Sequence, residues 1–278
     1  MRPSVFVKAV RDQRWLILGF GVGAGALAAL LVPLYPFYSD AMANFKVPAA
    51  FQAIIGDVDL GTGVGFLAAE FFSWVPALLV VYAIIQGTGA LAGEEGVGTL
   101  ELVLARPIGR SRLFIEEALA IVAGTIIIVC LTVLGFLIGR AITDIDVSLV
   151  NISIAVGVLL PFTVAFAAVS LLLGALLPNR RQAAAVATAL AYVSYLANSL
   201  GTAIEPLEAM RRASLFYYLH AAQILKSGMV WSSAIVPGLV ALLAVGLGAA
   251  VFERRDIRVG LDLSFLLRRG RPASVSRS

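Results

Sequence analysis

Six stretches of the chain are long and apolar enough to cross a lipid bilayer as helices, and they limit its possible folds more than any other feature. A bilayer core about 30 Å thick needs about 20 apolar residues of helix. The predicted spans cover residues 15–34, 66–92, 118–139, 152–177, 183–203 and 234–252. Only 14% of the 278 residues are charged, against about 25% in a typical soluble domain. The sequence therefore predicts an all-α integral membrane protein with one transmembrane domain over residues 1–278.

The basic residues are distributed unequally between the two sides of the predicted membrane. An even number of spans places both termini on one side, and 16 of the 21 lysines and arginines fall there. The other side holds only Lys46, Arg140, Arg211, Arg212 and Lys226. Because short cytoplasmic loops are enriched in Lys and Arg, we expect both termini in the cytoplasm of a bacterial or archaeal inner membrane. Basic clusters placed between apolar runs are typical of helix ends, so no nucleic-acid partner is expected.

Two further segments have the pattern of helices that lie at the membrane surface. Residues 5–14 mix apolar and basic side chains and predict an amphipathic interfacial helix. The outer loop from Ile204 to Ser233 is too short to span and too apolar to be fully solvated, which favours a re-entrant or interfacial helix. The basic tail after Phe252 is expected along the membrane surface or partly disordered.

Three pairs of glycines four residues apart predict close helix packing rather than ligand sites. The pairs are Gly21–Gly25, Gly89–Gly93 and Gly135–Gly139. Small residues at this spacing let two helix backbones approach closely.

The chain has no recognisable catalytic or metal-binding motif. A phosphate-binding P-loop ends in a lysine, and none of Lys8, Lys46 and Lys226 follows a glycine-rich turn of that kind. His220 is the sole histidine, Cys130 the sole cysteine, and no Gly-x-Ser-x-Gly occurs. We therefore expect no enzyme activity, bound cofactor or metal in this chain.

The loop between the second and third spans predicts a short amphipathic helix in the cytoplasm. Thr99 can cap it, and Leu100 and Leu104 share one face with Val103. Pro107 and Gly109 end it, and the next helix is expected to be capped by Ser111. Such a helix can contact lipid headgroups or a partner protein, or it can be an ordinary connector between two spans.

This loop resembles the type-2 permease subunits of ATP-binding cassette (ABC) transporters. The similarity is carried by Glu94-Glu95-x-x-Gly98-Thr99-Leu100-Glu101-Leu102-x-Leu104-x-x-Pro107-x-x-Arg110-x-x-Leu113-Phe114. It extends less specifically over the basic N-terminal segment, the six spans, the long first outer loop and the segment before the sixth span.

The resemblance implies a coupling helix that docks on a separate cytoplasmic ATPase subunit. Two ATPase copies would bind ATP and Mg, and this chain would pair with itself or with a sister permease. The residues implied in coupling are Glu94, Glu95, Thr99, Leu100, Glu101, Leu104, Arg106, Pro107, Arg110 and Arg112, with a second contact at Arg180 and Arg181 beside Asn179.

The resemblance also implies a translocation pathway along the second and fifth spans. It maps onto Phe71, Phe72 and Trp74, and onto Thr188, Tyr192, Tyr195 and Asn198. The four residues of the fifth span have roughly the spacing of one helical face. Since that stripe carries no charge, an exporter of an amphiphilic or hydrophobic substrate is the main hypothesis.

Two other classes of function remain open from the sequence. One is a non-transporting membrane scaffold or sensor that uses the same loop to hold a cytoplasmic protein. The other is a secondary carrier or channel, which the near absence of ionisable residues inside the spans disfavours. Glu70, Glu116 and Glu117 lie near span ends, where side chains reach the headgroups.

Overall fold

The computed structural model describes residues 5–43, 61–90, 109–203 and 208–254, and every regular element in these ranges is helical. The helices are α1 (Val5–Ala43), α2 (Gly63–Glu70), α3 (Val75–Ala90), α4 (Arg110–Ile142), α5 (Leu149–Leu176), α6 (Arg180–Ala203), α7 (Glu208–Arg211), a 3₁₀ helix (Leu215–Leu219), α8 (Ala221–Ser227) and α9 (Ser232–Arg254). The all-α class predicted from the sequence is confirmed.

Within the described ranges, six helical segments are long and apolar enough to cross a membrane, as predicted. They are α1, α2 with α3, α4, α5, α6 and α9. The helices extend beyond the predicted apolar cores because polar residues at each end continue the same backbone hydrogen bonding. The basic segment at residues 5–14 is helical, and it forms the first turns of α1 instead of a separate helix.

The second span is interrupted between α2 and α3. Pro76 lacks a backbone N–H and its ring would clash with the carbonyl of Phe72 in a continuous helix, so the helix breaks before it. The Phe72 amide instead donates to the Leu67 carbonyl at 3.0 Å, and the Ser73 hydroxyl donates to the Ala68 carbonyl at 3.0 Å. The apolar run thus forms two helices where the sequence predicted one.

The helix α5 lies at the centre of the bundle and contacts α3, α4, α6 and α9. The pairing of α1 with α4 is especially close, because glycines face each other across it. A Cβ atom on Gly25 would lie 2.6 Å from the Leu131 carbonyl oxygen, and one on Gly135 would overlap the Gly25 backbone. Gly21 and Gly139 also face the partner helix, so two of the three predicted glycine pairs pack helices. Gly93, of the third pair, lies outside the described residues.

One end of the bundle collects basic residues, and we call it the basic end. It contains the start of α1, the end of α3, the start of α4, the α5–α6 connection and the end of α9. The opposite end, here the far end, carries the α4–α5 connection and the segment from α7 to α8.

The segment from Glu208 to Ser227 folds back into the bundle from the far end. The Phe216 ring contacts Phe162 and Phe166 of α5 at centroid distances of 5.1 and 5.6 Å. Phe162 and Phe166 lie fourteen and ten residues before the end of α5, about 21 and 15 Å from the basic end at 1.5 Å per residue. In a core about 30 Å thick both depths lie inside the hydrocarbon, which agrees with the re-entrant alternative predicted for the loop.

Candidate functional site

Contacts at the basic end join α1 to α4. Glu116 of α4 accepts hydrogen bonds from the Arg112 guanidinium at 2.9 Å and from the Phe6 amide at 3.2 Å. The amide belongs to the first turn of α1, where backbone N–H groups have no partner within the helix. A carboxylate there satisfies the amide and interacts favourably with the helix dipole. Glu116 thus fixes the start of α1 on α4.

A second set of contacts joins α4 to α9 at the same end. The Ser111 hydroxyl donates to the Glu253 carboxylate at 2.9 Å, so Ser111 does not cap its helix as predicted. The N-cap position of this helix is occupied by Gly109, which has no side chain to form a capping hydrogen bond. Below this pair, the Phe114 and Phe252 rings meet at 6.2 Å, and Gly248 gives Phe114 room. Ser111 therefore contributes an interhelical contact.

Arg180 connects the start of α6 with the end of α3. Its guanidinium donates to the Ile85 carbonyl at 3.4 Å and passes Gly89, where a Cβ atom would lie 3.1 Å from the Arg180 Nη2. A cation at a helix C-terminus interacts favourably with the helix dipole. Since α3 ends at Ala90, Arg180 lies where the loop carrying the permease-like motif leaves the bundle.

The structure places only part of the predicted coupling set. Arg110 begins α4, Arg112 pairs with Glu116, and Arg181 is exposed beside Arg180. The remaining predicted coupling residues lie outside the described residues: Glu94, Glu95, Thr99, Leu100, Glu101, Leu104, Arg106 and Pro107. The basic tail beyond Arg254 also lies outside them.

The helix α6 has two faces of different character. Its buried face is a row of alanines, Ala183, Ala187 and Ala191, that packs against the rest of the bundle. On exposed faces lie Thr188, Tyr192 and Tyr195, and the two tyrosines are 61% and 44% exposed. The fourth predicted member, Asn198, is half-buried, and its side-chain oxygen accepts from the Arg211 Nε at 3.4 Å. Three of the four predicted residues thus lie on the open surface of α6.

The aromatic residues predicted on the second span are divided between core and surface. Phe71 and Phe72 are buried within the single chain, and Phe71 packs edge-on against Phe136 of α4 at 4.8 Å. Trp74 is 66% exposed. Since the two phenylalanines are buried and Trp74 is exposed, these three side chains do not share one surface. Their proposed role in a pathway stays a prediction.

Sequence reasoning missed the serine pair that holds the re-entrant segment. The buried Ser214 hydroxyl donates to the Ser194 carbonyl at 2.6 Å and accepts from the Phe216 amide at 3.1 Å. The Ser194 hydroxyl lies 3.0 Å from it and accepts from the Leu215 amide at 3.3 Å. A serine directly before the run Leu215–Leu219 is a typical N-cap, which is the signal that could have revealed it.

Two membrane-facing cavities lie between helices that contact each other little. One of about 230 Å³ lies between α1 and α3 and includes Gly19, Gly23 and Leu78 in a wholly apolar lining. The other, of about 280 Å³, lies over α5 between α6 and α9. Neither resembles a metal site, and in the described ranges no three His, Cys, Asp or Glu side chains converge.

Six membrane-length helices in the part of the chain that the structure describes indicate a multi-pass membrane protein. Residues 4–253 match the family described as "Multidrug efflux system permease Rv1217c, C-terminal domain". Because the match covers most of the chain, the protein belongs to this efflux permease family. No curated protein shows significant sequence similarity to the chain.

Proposed function

We propose that this chain is the membrane permease subunit of an ABC exporter. It works with a second permease, either a copy of itself or a sister chain, and with two cytoplasmic ATPase subunits that bind ATP and Mg. The chain itself has no catalytic role. Both termini and the basic end face the cytoplasm, in keeping with the excess of Lys and Arg there.

The observation that carries this proposal is the exposed stripe on α6. Hydroxyl groups left without a partner in hydrocarbon cost free energy, and α6 presents Thr188, Tyr192 and Tyr195 on its exposed surface. A second permease facing this stripe, or a hydrated pathway between two permeases, gives these hydroxyls partners. The stripe lacks charged side chains, which favours an amphiphilic or hydrophobic substrate over an ion.

The contacts at the basic end support a coupling role for the neighbouring loop. A movement of residues 91–108 acts directly on the end of α3 and on the start of α4, because the loop connects them. Arg180 extends this action to α6 through the Ile85 carbonyl. In this mechanism ATP binding draws the two ATPases together, the loops move, and α3 and α6 re-pack to release the substrate outward.

The test is purification of the tagged chain from its own membranes, with identification of bound proteins and assay of ATPase activity. We expect an ATPase subunit in stoichiometric amount. Leu104→Asp should abolish its binding or reduce stimulated ATPase activity at least tenfold, because it places a charge on the apolar face of the predicted coupling helix.

Val150→Asp is the matched control, since Val150 is an exposed apolar residue at the far end. It should retain the ATPase. Recovery of the chain with no ATPase under any detergent or salt condition would overturn the proposal in favour of a secondary carrier. A bound ATPase without substrate movement in vesicles would favour a scaffold or sensor.

A further inference from the structure

The cavity between α6 and α9 is a groove open to the membrane. Both helices pack on α5 but have little or no contact with each other. Phe166 and Val169 of α5 form the floor, and Leu190 of α6 and Val240 of α9 form the walls. Its volume is about 280 Å³. In a bilayer such a mostly apolar space is surrounded by hydrocarbon, so a lipid chain can enter from the side.

The two serines in the lining are hydrogen-bonded within the protein. The Ser170 hydroxyl donates to the Phe166 carbonyl of its own helix at 2.7 Å. The Ser194 hydroxyl belongs to the pair with Ser214. Both serine hydroxyls thus have partners within the protein, and the mostly apolar interior of the groove suits an acyl chain.

The groove is closed toward the far end by the re-entrant segment, and an arginine lies at this boundary. The backbone carbonyl of Arg212 accepts from the Tyr218 hydroxyl at 2.9 Å, which anchors the residue over the groove. Its guanidinium is 70% exposed and lies 3.5 Å from Glu208, whose carboxylate is also exposed. An exposed pair of this kind contributes about 0–1 kcal/mol, so the guanidinium remains available to a stronger anion.

The depth of Arg212 matches the headgroups of the nearer leaflet. Ser194, which holds Ser214, lies fourteen residues beyond Arg180, about 21 Å from the basic end. Asn198, which binds Arg211, lies about 27 Å from it. In a core about 30 Å thick, Arg212 lies between these depths, where a long basic side chain reaches the phosphate layer by snorkelling.

We propose that this groove is a binding site for an anionic phospholipid of the leaflet at the far end. One acyl chain occupies the space over α5, and the phosphate is bound by the Arg212 guanidinium. The lipid fills the gap between α6 and α9 and couples the position of the re-entrant segment to both helices. This inference does not require an ATPase partner.

The test is native mass spectrometry of the full-length chain, purified from nanodiscs that contain equal phosphatidylglycerol and phosphatidylcholine. We expect wild-type protein to retain phosphatidylglycerol preferentially. Arg212→Gln should reduce this preference about tenfold, as expected for loss of a charge-assisted hydrogen bond. Lys226→Gln, which removes an exposed positive charge at the same end, should leave the preference unchanged.

A second pair of variants tests the acyl-chain part of the site. Leu190→Trp fills the groove and should reduce retention of both lipids, whereas Leu242→Trp, on an exposed part of α9 outside the groove lining, should not. Equal lipid retention by wild type, Arg212→Gln and Leu190→Trp would overturn the proposal. Displacement of the lipid by a transported compound, with Arg212→Gln changing its transport KM, would also overturn it and assign the groove to substrate.

Discussion

At the scale of single residues, the glycines of α1 lie on two faces of the helix with different surroundings. Gly21 and Gly25 face α4, where a Cβ atom has no room. Gly19 and Gly23 line the apolar cavity beside α3, and a Cβ atom there would meet nothing within 4 Å. The spacing of the glycines predicted packing, but only the structure distinguishes the two faces.

This difference predicts opposite effects for two alanine substitutions. Gly25→Ala should lower the free energy of unfolding by about 1–3 kcal/mol, because its Cβ would press on the Leu131 backbone. Gly23→Ala should be neutral or slightly stabilising, since alanine favours a helix over glycine. Thermal unfolding followed by size-exclusion chromatography measures both. Equal Tm values for the two variants would contradict the close α1–α4 packing.

At the scale of helices, the sequence predicted the number and position of the spans, which depend on hydropathy. It did not predict the break in the second span or the partner of Ser111, which depend on proline and on long-range hydrogen bonding. The six spans follow from long apolar runs, and so they appear in the structure. The break before Pro76 depends on one ring and one carbonyl. Ser111 was expected to cap its own helix, but a carboxylate 142 positions later in the sequence is its partner. Such long-range partners leave no local pattern.

The joint between α3 and α6 leads to a prediction about coupling. Arg180→Ala removes the hydrogen bond to the Ile85 carbonyl and should reduce substrate-stimulated ATPase activity of the assembled transporter severalfold, with the complex still intact. Arg11→Ala is the control, because this substitution removes the same charge from an exposed position of α1 at the same end. Steady-state ATPase assays with and without substrate separate the two variants. An equal loss in Arg11→Ala would show that positive charge at this end, and not the joint, carries the effect.

At the scale of the whole molecule, the chain has a tightly packed part and an open part. The α1–α4 pair and the core around α5 are closely packed, whereas α6 is supported mainly along its alanine face. In the proposed function the chain is one of two permeases, and the exposed polar stripe on α6 faces the second permease. The sequence indicated this stripe from its spacing, but the burial of its opposite face is a property of the fold.

The open stripe predicts where two permeases meet if the chain pairs with itself. In a background with Cys130 replaced by serine, Tyr192→Cys should form cross-links between copies in native membranes. Leu242→Cys, at a residue that is at least as exposed but lies on α9, should not. Gel electrophoresis under non-reducing conditions detects the dimer. Cross-linking at residue 242 and not at 192 would place the contact on another surface.

The interruption at residues 71–74 weakens one turn of the second span. A continuous helix transmits an axial displacement because each turn is bonded to the next. Here the Phe71 and Val75 amides still donate to carbonyls four residues earlier, but the Phe72 amide donates to Leu67, and Pro76 has no amide to donate. We therefore expect the second span to bend at this turn, between α3 and α2, whose Phe66 ring lies 4.7 Å from Tyr38 of α1.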